Sequence, residues 1–224
     1  NYIRYRLKAK DEYSIHSPFM FDFFTKGLKT KFPKQAYRKL KKDWKAFECK
    51  TSNLHLNLKH KNNLFICRIA TYFAPKQIHI ISDNCNNLAL YLSVTLPQSK
   101  ISFFTQNAEN ISAIKQATSE NGSANTEIHK AKNTERLLEC SNESGKADFV
   151  IIDCRKDVYD LQNTIEQIVA RCSENAVIIL SNAFCKPAIE EQWEWFLRNN
   201  QIKVTTDFFL CKVAFLTQNP IKKQ

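Results

Sequence analysis

Residues 203–217 read KVTTDFFLCKVAFLT and contain two short apolar runs, 203–209 and 212–217, which are separated by a couple of residues. This spacing predicts a β-hairpin, because antiparallel strands can be joined by a very short turn. The chain before the hairpin has a different pattern, in which strand-like and helix-like runs alternate. The sequence therefore predicts a sheet that closes with an antiparallel pair of strands.

Upstream of the hairpin, each apolar strand-like run is followed by a run with helical spacing. The predicted strands are 77–82, 100–105, 125–130, 147–153 and 176–181, and the helices between and after them are 87–96, 108–121, 134–141, 158–172 and 187–199. Continuous apolar strands such as ADFVIID (147–153) are typical of a parallel sheet covered by helices on both faces. Together with the hairpin, they predict an α/β fold with a Rossmann-like, seven-stranded, mostly parallel sheet.

The first quarter of the chain carries all of the net charge of +11. Residues 1–62 contain 16 Lys or Arg and 5 Asp or Glu, whereas residues 63–224 contain 17 of each kind. Helices are predicted at 17–28, 34–47 and 62–74. We therefore expect a basic helical N-terminal segment over 1–62 and an α/β domain over 63–224.

The basic residues are densest at 29–50, where nine of them are interleaved with aromatic side chains. One interpretation is a surface for an anionic partner such as RNA, DNA, an acidic protein or acidic lipid headgroups. The other is a solvated helical face whose aromatic side chains pack on the body of the protein. No nucleic-acid-binding motif in this segment decides between them.

The composition excludes several classes of site. The chain contains three glycines, whereas an average usage of about 7% would give roughly 16. A phosphate-binding Walker loop or a dinucleotide fingerprint cannot be written with so few. No run approaches the roughly 18 apolar residues of a membrane span and no secretory leader is evident, so a cytoplasmic protein is expected. Most of the eight cysteines lie in apolar surroundings and are expected to be buried free thiols.

Four stretches of the sequence resemble motifs of one known family. IHSPFMF (15–21) is similar to an N-terminal I-H-S-P-F-V-F motif, and VTTDFFLCKVAFL (204–216) to a closing hairpin. LFICRIATYFAPKQIHII (64–81) and ADFVIID (147–153) look like the family's first strand with its preceding helix and its fourth strand. The family consists of S-adenosylmethionine (SAM)-dependent methyltransferases common in Bacteroidetes. The resemblance implies the class I methyltransferase topology, with ligands bound beyond the carboxyl ends of the strands.

The resemblance assigns the candidate cofactor contacts to the loops after the first two strands. In the family, the first strand ends in an acid and a glycine-rich turn, but Ile80 stands at the acid here, and Ser82 and Asn86 stand at the glycines. The ribose-binding acid after the second strand is replaced by Thr105, which has a single uncharged hydroxyl. The resemblance therefore implies weak SAM binding or none. The candidate contacts are Ser82, Asp83, Asn84, Asn86 and Thr105.

A third group of positions concerns catalysis. Related metal-dependent O-methyltransferases hold Mg²⁺ with an Asp after the fourth strand and an Asp-Asn or Asp-Asp pair after the fifth, and the metal lowers the pKa of the acceptor hydroxyl. Asp153 stands at the first position, and Ser181 and Asn182 stand at the pair. These three are the candidate metal ligands, and Asp153 and Asn182 the candidate catalytic residues. Because one carboxylate is missing, Mg²⁺ binding is not expected.

Three functions follow as alternatives. The first is a methyltransferase-like protein, degenerate in its SAM and metal sites, that acts as a non-catalytic binding or scaffold protein. It predicts a crevice filled by the chain's own side chains, namely Ile80, Cys85, Asn86 and Thr105. The second is an active but divergent SAM-dependent O-methyltransferase in which Asp83, Asp153 and Asn182 have changed roles. The third is a nucleic-acid-associated protein that binds through residues 29–50.

Overall fold

The computed structural model describes residues 17–29, 60–83, 88–120, 124–130, 145–154, 161–183, 187–209 and 211–217. The predicted helices at 34–47 and 134–141 lie outside these residues. So do the basic segment 29–50 beyond Lys29, the first part of the IHSPFMF motif, and the candidate cofactor residues Asn84 and Asn86.

Seven strands form one sheet within the described residues, in the order β3-β2-β1-β4-β5-β7-β6. The strands are β1 (Gln77–Ile81), β2 (Lys100–Thr105), β3 (Thr126–Lys130), β4 (Ala147–Asp153), β5 (Cys172–Ser181), β6 (Val204–Asp207) and β7 (Cys211–Phe215). The pairs among β1 to β5 are parallel, whereas β7 lies between β5 and β6 and is antiparallel to both. This confirms the predicted Rossmann-like sheet and its closing hairpin.

Helices precede the sheet and connect its strands. They are α1 (Pro18–Asp22), a π-helix (Phe23–Leu28) that continues it, α2 (His60–Phe73), α3 (Leu88–Thr95), α4 (Ala108–Glu120), α5 (Leu161–Arg171) and α6 (Pro187–Phe196). The first helix begins as the sequence predicts, because the Ser17 hydroxyl accepts a hydrogen bond from the Met20 N–H and Pro18 occupies the first turn. Helix α2 ends just before Pro75, which cannot continue a helix.

Each face of the sheet buries its own apolar layer. One layer joins β1, β2 and β7 to the first three helices, and Ile80, Phe103 and Phe215 are fully buried in it. The other layer joins β4 and β5 to α5 and α6, and it contains Ile152, Leu180 and Trp193. Because β2, β1, β4 and β5 are neighbours in the sheet and run parallel, their carboxyl ends lie side by side.

The N-terminal helix packs against the sheet domain. The ring of Phe23 in the π-helix lies 5.5 Å from that of Phe73 and 5.7 Å from that of Phe215, measured between centroids. The hydroxyl of Tyr72 donates a 2.6 Å hydrogen bond to Asp22. The described part of the N-terminal segment thus shares the apolar core of the α/β domain, and the predicted division at residue 62 stays a prediction.

The structure differs from the predicted elements at several positions; helix α6, for example, ends at Phe196 and not at residue 199. The helix expected over 17–28 changes from α to π geometry at Phe23. The helix expected to end at Cys172 ends one residue earlier, because Cys172 begins β5 and pairs with Ala147 across a register shift. Strand β6 ends at Asp207, where the Asp207 carboxylate accepts a hydrogen bond from the N–H of Phe209, a residue with φ +65°.

The composition led to two further expectations, one about membrane-spanning helices and one about the cysteines. Within the described residues, no helix is both long enough and apolar enough to cross a membrane. The four described cysteines are buried free thiols, which confirms that expectation for Cys67, Cys154, Cys172 and Cys211.

Candidate functional site

The ends of four parallel strands bring most of the candidate residues to one edge of the sheet. Ile81 pairs with Phe104 of β2 on one side and with Ile152 of β4 on the other. Asp153 in turn pairs with Ser181 of β5. The residue after β1 therefore lies beside the ends of both β2 and β4, which is where open α/β sheets bind ligands.

Asp153 is the centre of a buried hydrogen-bond network at this edge. Its Oδ2 accepts a 3.0 Å hydrogen bond from the Ser82 hydroxyl, and its Oδ1 accepts a 3.1 Å hydrogen bond from Nδ2 of Asn182. The Asp153 side chain is almost inaccessible, since the residue is only 4% exposed. Both oxygens of the buried carboxylate therefore face hydrogen-bond donors from neighbouring strand ends, which a buried charge requires.

Asn182 holds the end of β5 in a left-handed turn. Its φ is +60°, a conformation that Asn adopts with less strain than most residues. Besides Asp153, its Nδ2 donates to the Ser181 hydroxyl at 3.1 Å. The backbone N–H of Cys154 donates to the Ser181 carbonyl at 2.9 Å and joins the two strand ends. The turn thus places the amide of Asn182 directly over the carboxylate of Asp153.

Asn62 completes the network from the first turn of α2. Its Nδ2 donates to Ser181 Oγ at 3.3 Å and to Asn182 Oδ1 at 3.4 Å, and the residue is buried. Among the described residues, neither Asn62 Oδ1 nor Nδ2 of the adjacent buried Asn63 has a hydrogen-bond partner. Sequence reasoning missed Asn62, because an Asn at a helix start usually indicates capping. We refer to Asn62, Ser82, Asp153, Ser181 and Asn182 as the Asn62 network.

Asp83 forms a second polar group at the end of β2. Its Oδ1 accepts a 2.6 Å hydrogen bond from the Gln106 N–H and a 3.2 Å hydrogen bond from the hydroxyl of the fully buried Thr105. Thr105 Oγ1 accepts in turn from the N–H of Asn107 at 3.1 Å. A carboxylate from the loop after β1 is thereby held at the strand end where the resemblance implies a ribose-binding acid.

The predicted site residues thus fall into two adjacent groups, with some outside the described part of the chain. Ser82, Asp153, Ser181 and Asn182 belong to one group, and Asp83 and Thr105 to the other. Asn84 and Asn86 lie outside the described residues. Among the residues that are described, no three His, Cys, Asp or Glu side chains cluster as a metal site would require.

Two buried basic side chains, His79 and Lys212, belong to neither of these groups. The pKa of His79 on β1 is lowered to about 4, chiefly by burial and in addition by nearby His129. Lys212 on β7 is buried, which lowers its pKa, but its hydrogen bonds to Asp207 and Glu190 outweigh burial and leave its pKa raised. The Lys212 ammonium lies 2.5 Å from Asp207 and 3.0 Å from Glu190. The ion pair with Glu190 joins the closing hairpin to α6.

Comparison with known proteins supports the fold assignment. No protein-family model matches the sequence, and no curated protein matches it either. A methyltransferase from Geobacter sulfurreducens superimposes with a TM-score of 0.64 at 14% identity, over 82% of this chain and 98% of that one. The SAH-bound methyltransferase PaMTH1 from Podospora anserina gives 0.65 at 13% identity, over 83% and 97%.

A third solved structure is the O-methyltransferase TomG from Streptomyces achromogenes, which is involved in tomaymycin synthesis and was crystallised with SAM. It superimposes with a TM-score of 0.63 at 14% identity, over 88% of this chain and 96% of that one. All three solved chains are covered almost completely, and the sheet order with its inserted antiparallel strand agrees with the topology that the sequence predicts. The chain therefore has the class I fold of SAM-dependent methyltransferases.

Proposed function

We propose that this chain is a non-catalytic binding or scaffold protein built on the methyltransferase fold. The observation that carries the proposal is the hydrogen bond from the Ser82 hydroxyl to the Asp153 carboxylate. In the family that the sequence resembles, a glycine stands at the position of Ser82, where backbone N–H groups approach the cofactor. Here a buried side chain occupies that position and binds to the chain's own carboxylate.

The residues around Ser82 support the same interpretation. Ile80 stands where the family has a cofactor-binding acid, and its side chain is fully buried in the apolar core. It offers no hydrogen-bonding group to a ligand. Thr105, at the position of the ribose-binding acid, is fully buried, and its hydroxyl donates a hydrogen bond to Asp83. Ser82, Asp83, Thr105 and Asp153, which are polar groups at the edge of the sheet, are therefore hydrogen-bonded to other residues of the chain.

The internal hydrogen bonds of Asp153 oppose a catalytic role. A carboxylate that binds a substrate or accepts a proton needs at least one oxygen within reach of the reacting group. Both oxygens of Asp153 already accept hydrogen bonds, from Ser82 and from Asn182, and the residue is only 4% exposed, so a substrate has little access to either oxygen. Breaking them would leave buried polar groups unsatisfied, at a cost of about 1–3 kcal/mol for each group.

An active but divergent SAM-dependent O-methyltransferase is the second candidate, and one observation favours it. The Asp83 carboxylate is held at the end of β2 by Thr105 and by the Gln106 N–H. This is the strand end from which a carboxylate would bind the two ribose hydroxyls of SAM. In this alternative, Asp83 takes over that role from the loop after β1.

Thermal unfolding with millimolar SAM or SAH separates the two candidates. We expect no rise in Tm with either ligand, because the described candidate contacts, Ser82, Asp83 and Thr105, are hydrogen-bonded to other residues of the chain. A ligand present at 100 times its Kd would stabilise the protein by about 2.7 kcal/mol, which raises the Tm of a chain of this size by roughly 5–10 °C. A rise of that size in the wild type would contradict the proposal.

The matched variant for this experiment is Asp83→Ala. If the wild-type Tm rises with SAH and the rise is lost in Asp83→Ala, the divergent enzyme is the correct interpretation. Methyl transfer to small hydroxyl-containing acceptors should then be measured. If the wild-type protein unfolds cooperatively and its Tm is the same with and without SAM or SAH, the binding or scaffold function stands.

A binding function also needs a partner, and we propose an anionic one for residues 29–50. The charge distribution supports this, since residues 1–62 carry the whole net charge of +11. The proposal includes a cytoplasmic location, which is supported by the four buried free thiols, because free cysteines are usual in reducing compartments.

A further inference from the structure

We infer that the side-chain amide of Asn62 takes the place of the catalytic cation of metal-dependent methyltransferases, so that the Asn62 network is a metal-free link between α2 and the sheet. The inference concerns a residue that the sequence did not single out. It does not depend on whether SAM binds, because the contacts that carry it, those of Asn62 with Ser181 and Asn182, involve no candidate cofactor residue.

The contacts of Asn62 converge on the positions of the expected metal ligands. Those positions are Asp153, Ser181 and Asn182. Asn62 Nδ2 lies 3.3 Å from Ser181 Oγ and 3.4 Å from Asn182 Oδ1, so one N–H group is directed at each of two ligand positions. The third position is covered by Asn182, whose own Nδ2 donates to Asp153 at 3.1 Å.

The chemistry of this group suits an amide better than a divalent ion. Mg²⁺ requires six oxygen ligands at about 2.1 Å in nearly octahedral geometry and is usually bound by carboxylates. The Asn62 network contains a single carboxylate, and both of its oxygens accept hydrogen bonds from N–H or O–H donors. A neutral amide can satisfy the hydroxyl and amide oxygens of β5 without further negative charge. The residues present therefore do not fit Mg²⁺.

The amide also explains how α2 is positioned. Asn62 is the third residue of α2, so its hydrogen bonds fix the first turn of this helix to the carboxyl end of β5. The positive end of the helix dipole is thereby directed toward the strand ends that carry Asp153. In a metal-dependent relative, a cation supplies positive charge at this edge. Here the partial positive charges of the amide N–H groups and of the helix end lie at this edge instead.

The inference is tested by placing a carboxylate at the position of the amide. Asn62→Asp has nearly the same shape as the wild type but adds a second negative charge beside Asp153, Ser181 and Asn182. We expect this variant to bind Mn²⁺. Its Tm should rise by at least about 5 °C in millimolar Mn²⁺, which is the rise expected when the Mn²⁺ concentration is near 100 times the Kd. The wild type should show no rise, and EDTA should leave its Tm unchanged.

Asn63→Asp is the matched control. Asn63 is the neighbouring residue, is equally buried, and makes no described hydrogen bond to the metal positions. The same carboxylate one residue further along should therefore give no Mn²⁺-dependent rise in Tm. A gain in Asn62→Asp alone supports the inference. An equal gain in both variants, or none in a folded Asn62→Asp, overturns it.

The wild type provides a test that does not depend on whether the variants fold. Titration calorimetry with Mn²⁺ should detect no binding to the wild-type protein. Binding with a Kd below about 100 μM would place a cation among the residues that we assign to the amide, and would overturn the inference. SAH binding is read separately, so that the proposed function and this inference can each fail alone.

Discussion

At the scale of single residues, His79 shows what burial does to a titratable group in the sheet. Its ring lies edge-on to Phe104, with a centroid distance of 5.2 Å, and Gln77 Nε2 lies 3.3 Å from its Nε2. Burial is the main cause of its low pKa of about 4, His129 and Lys100 lower it further, and Asp148 opposes them. His79 is therefore neutral in the folded protein at neutral pH.

This low pKa predicts an acid-dependent loss of stability. Between about pH 6.5 and pH 4 the unfolded chain binds a proton at His79 while the folded chain does not, so the free energy of unfolding falls by about 3 kcal/mol as the pH is lowered. Urea unfolding at several pH values in this range gives the free energy of unfolding as a function of pH. The slope of this free energy against pH should be clearly smaller for His79→Gln than for the wild type. His129→Gln should keep most of the slope, because burial of His79 is unchanged. Equal slopes in all three proteins would contradict the prediction.

The same scale shows where sequence reasoning reaches its limit. The positions of Ser82, Thr105 and Asp153 at strand ends follow from the strand pattern, because parallel strands align their carboxyl ends. The contact of Asn62 with Ser181 joins residues 119 positions apart. No local pattern specifies such a contact, which depends on how α2 meets the sheet.

At the scale of elements, the π-helix packs closely against α2. Gly27 is buried in it, and a Cβ at this position would lie 2.9 Å from Phe23 Cδ2 and 3.0 Å from the Tyr72 ring. Phe23 is fully buried, and the hydroxyl of the half-buried Tyr72 is bound to Asp22, so a shift of either ring would cost packing or this hydrogen bond. A glycine is thus needed for the close approach of the π-helix to α2.

We expect Gly27→Ala to lower the free energy of unfolding by about 1–2 kcal/mol, because overpacking outweighs the gain in helix propensity. Lys26→Ala in the same helix is the control. The Lys26 side chain is exposed and its ion pair with Asp22 is at the surface, so its loss should change stability by less than about 1 kcal/mol. Urea unfolding measures both variants. A Gly27→Ala protein as stable as the wild type would contradict the packing argument.

The helices and strands were predicted from the sequence more completely than the contacts of single residues. All seven strands were predicted: continuous apolar runs mark the buried parallel strands β1, β2, β4 and β5, and the short spacing of the last two runs marks the hairpin. The π geometry after Phe23 was not predicted from the sequence. The early start of β5 was also missed, because Cys172 and Ala176 flank exposed residues that read as a loop.

At the scale of the whole molecule, the net charge of +11 lies entirely in residues 1–62. If this part binds nucleic acid, the affinity for a single-stranded RNA should fall steeply with salt, since each neutralised phosphate contributes a slope of about −0.7 in log K against log salt. Filter binding or fluorescence anisotropy at increasing salt concentrations measures this slope.

Charge-reversal variants locate the surface. Changing four lysines of the basic segment to Glu, namely Lys39, Lys41, Lys42 and Lys45, lowers the net charge from +11 to +3 and should abolish binding. The same change at four exposed lysines of the sheet domain, Lys76, Lys115, Lys130 and Lys146, gives an equal net charge. This second variant should keep at least half of the wild-type affinity. Equal binding by both variants would exclude residues 29–50 as the site.

The insertion of β7 between β5 and β6 has a consequence for protein synthesis on the ribosome. The chain emerges from its N-terminus, so β5 is complete about 30 residues before its neighbour β7 is made. Until then, the apolar stretch Ala176–Leu180 presents an open sheet edge, and β6 has no partner strand. An open apolar edge pairs readily with other chains. A nascent chain stalled before Cys211 would therefore need a chaperone more than the finished protein does.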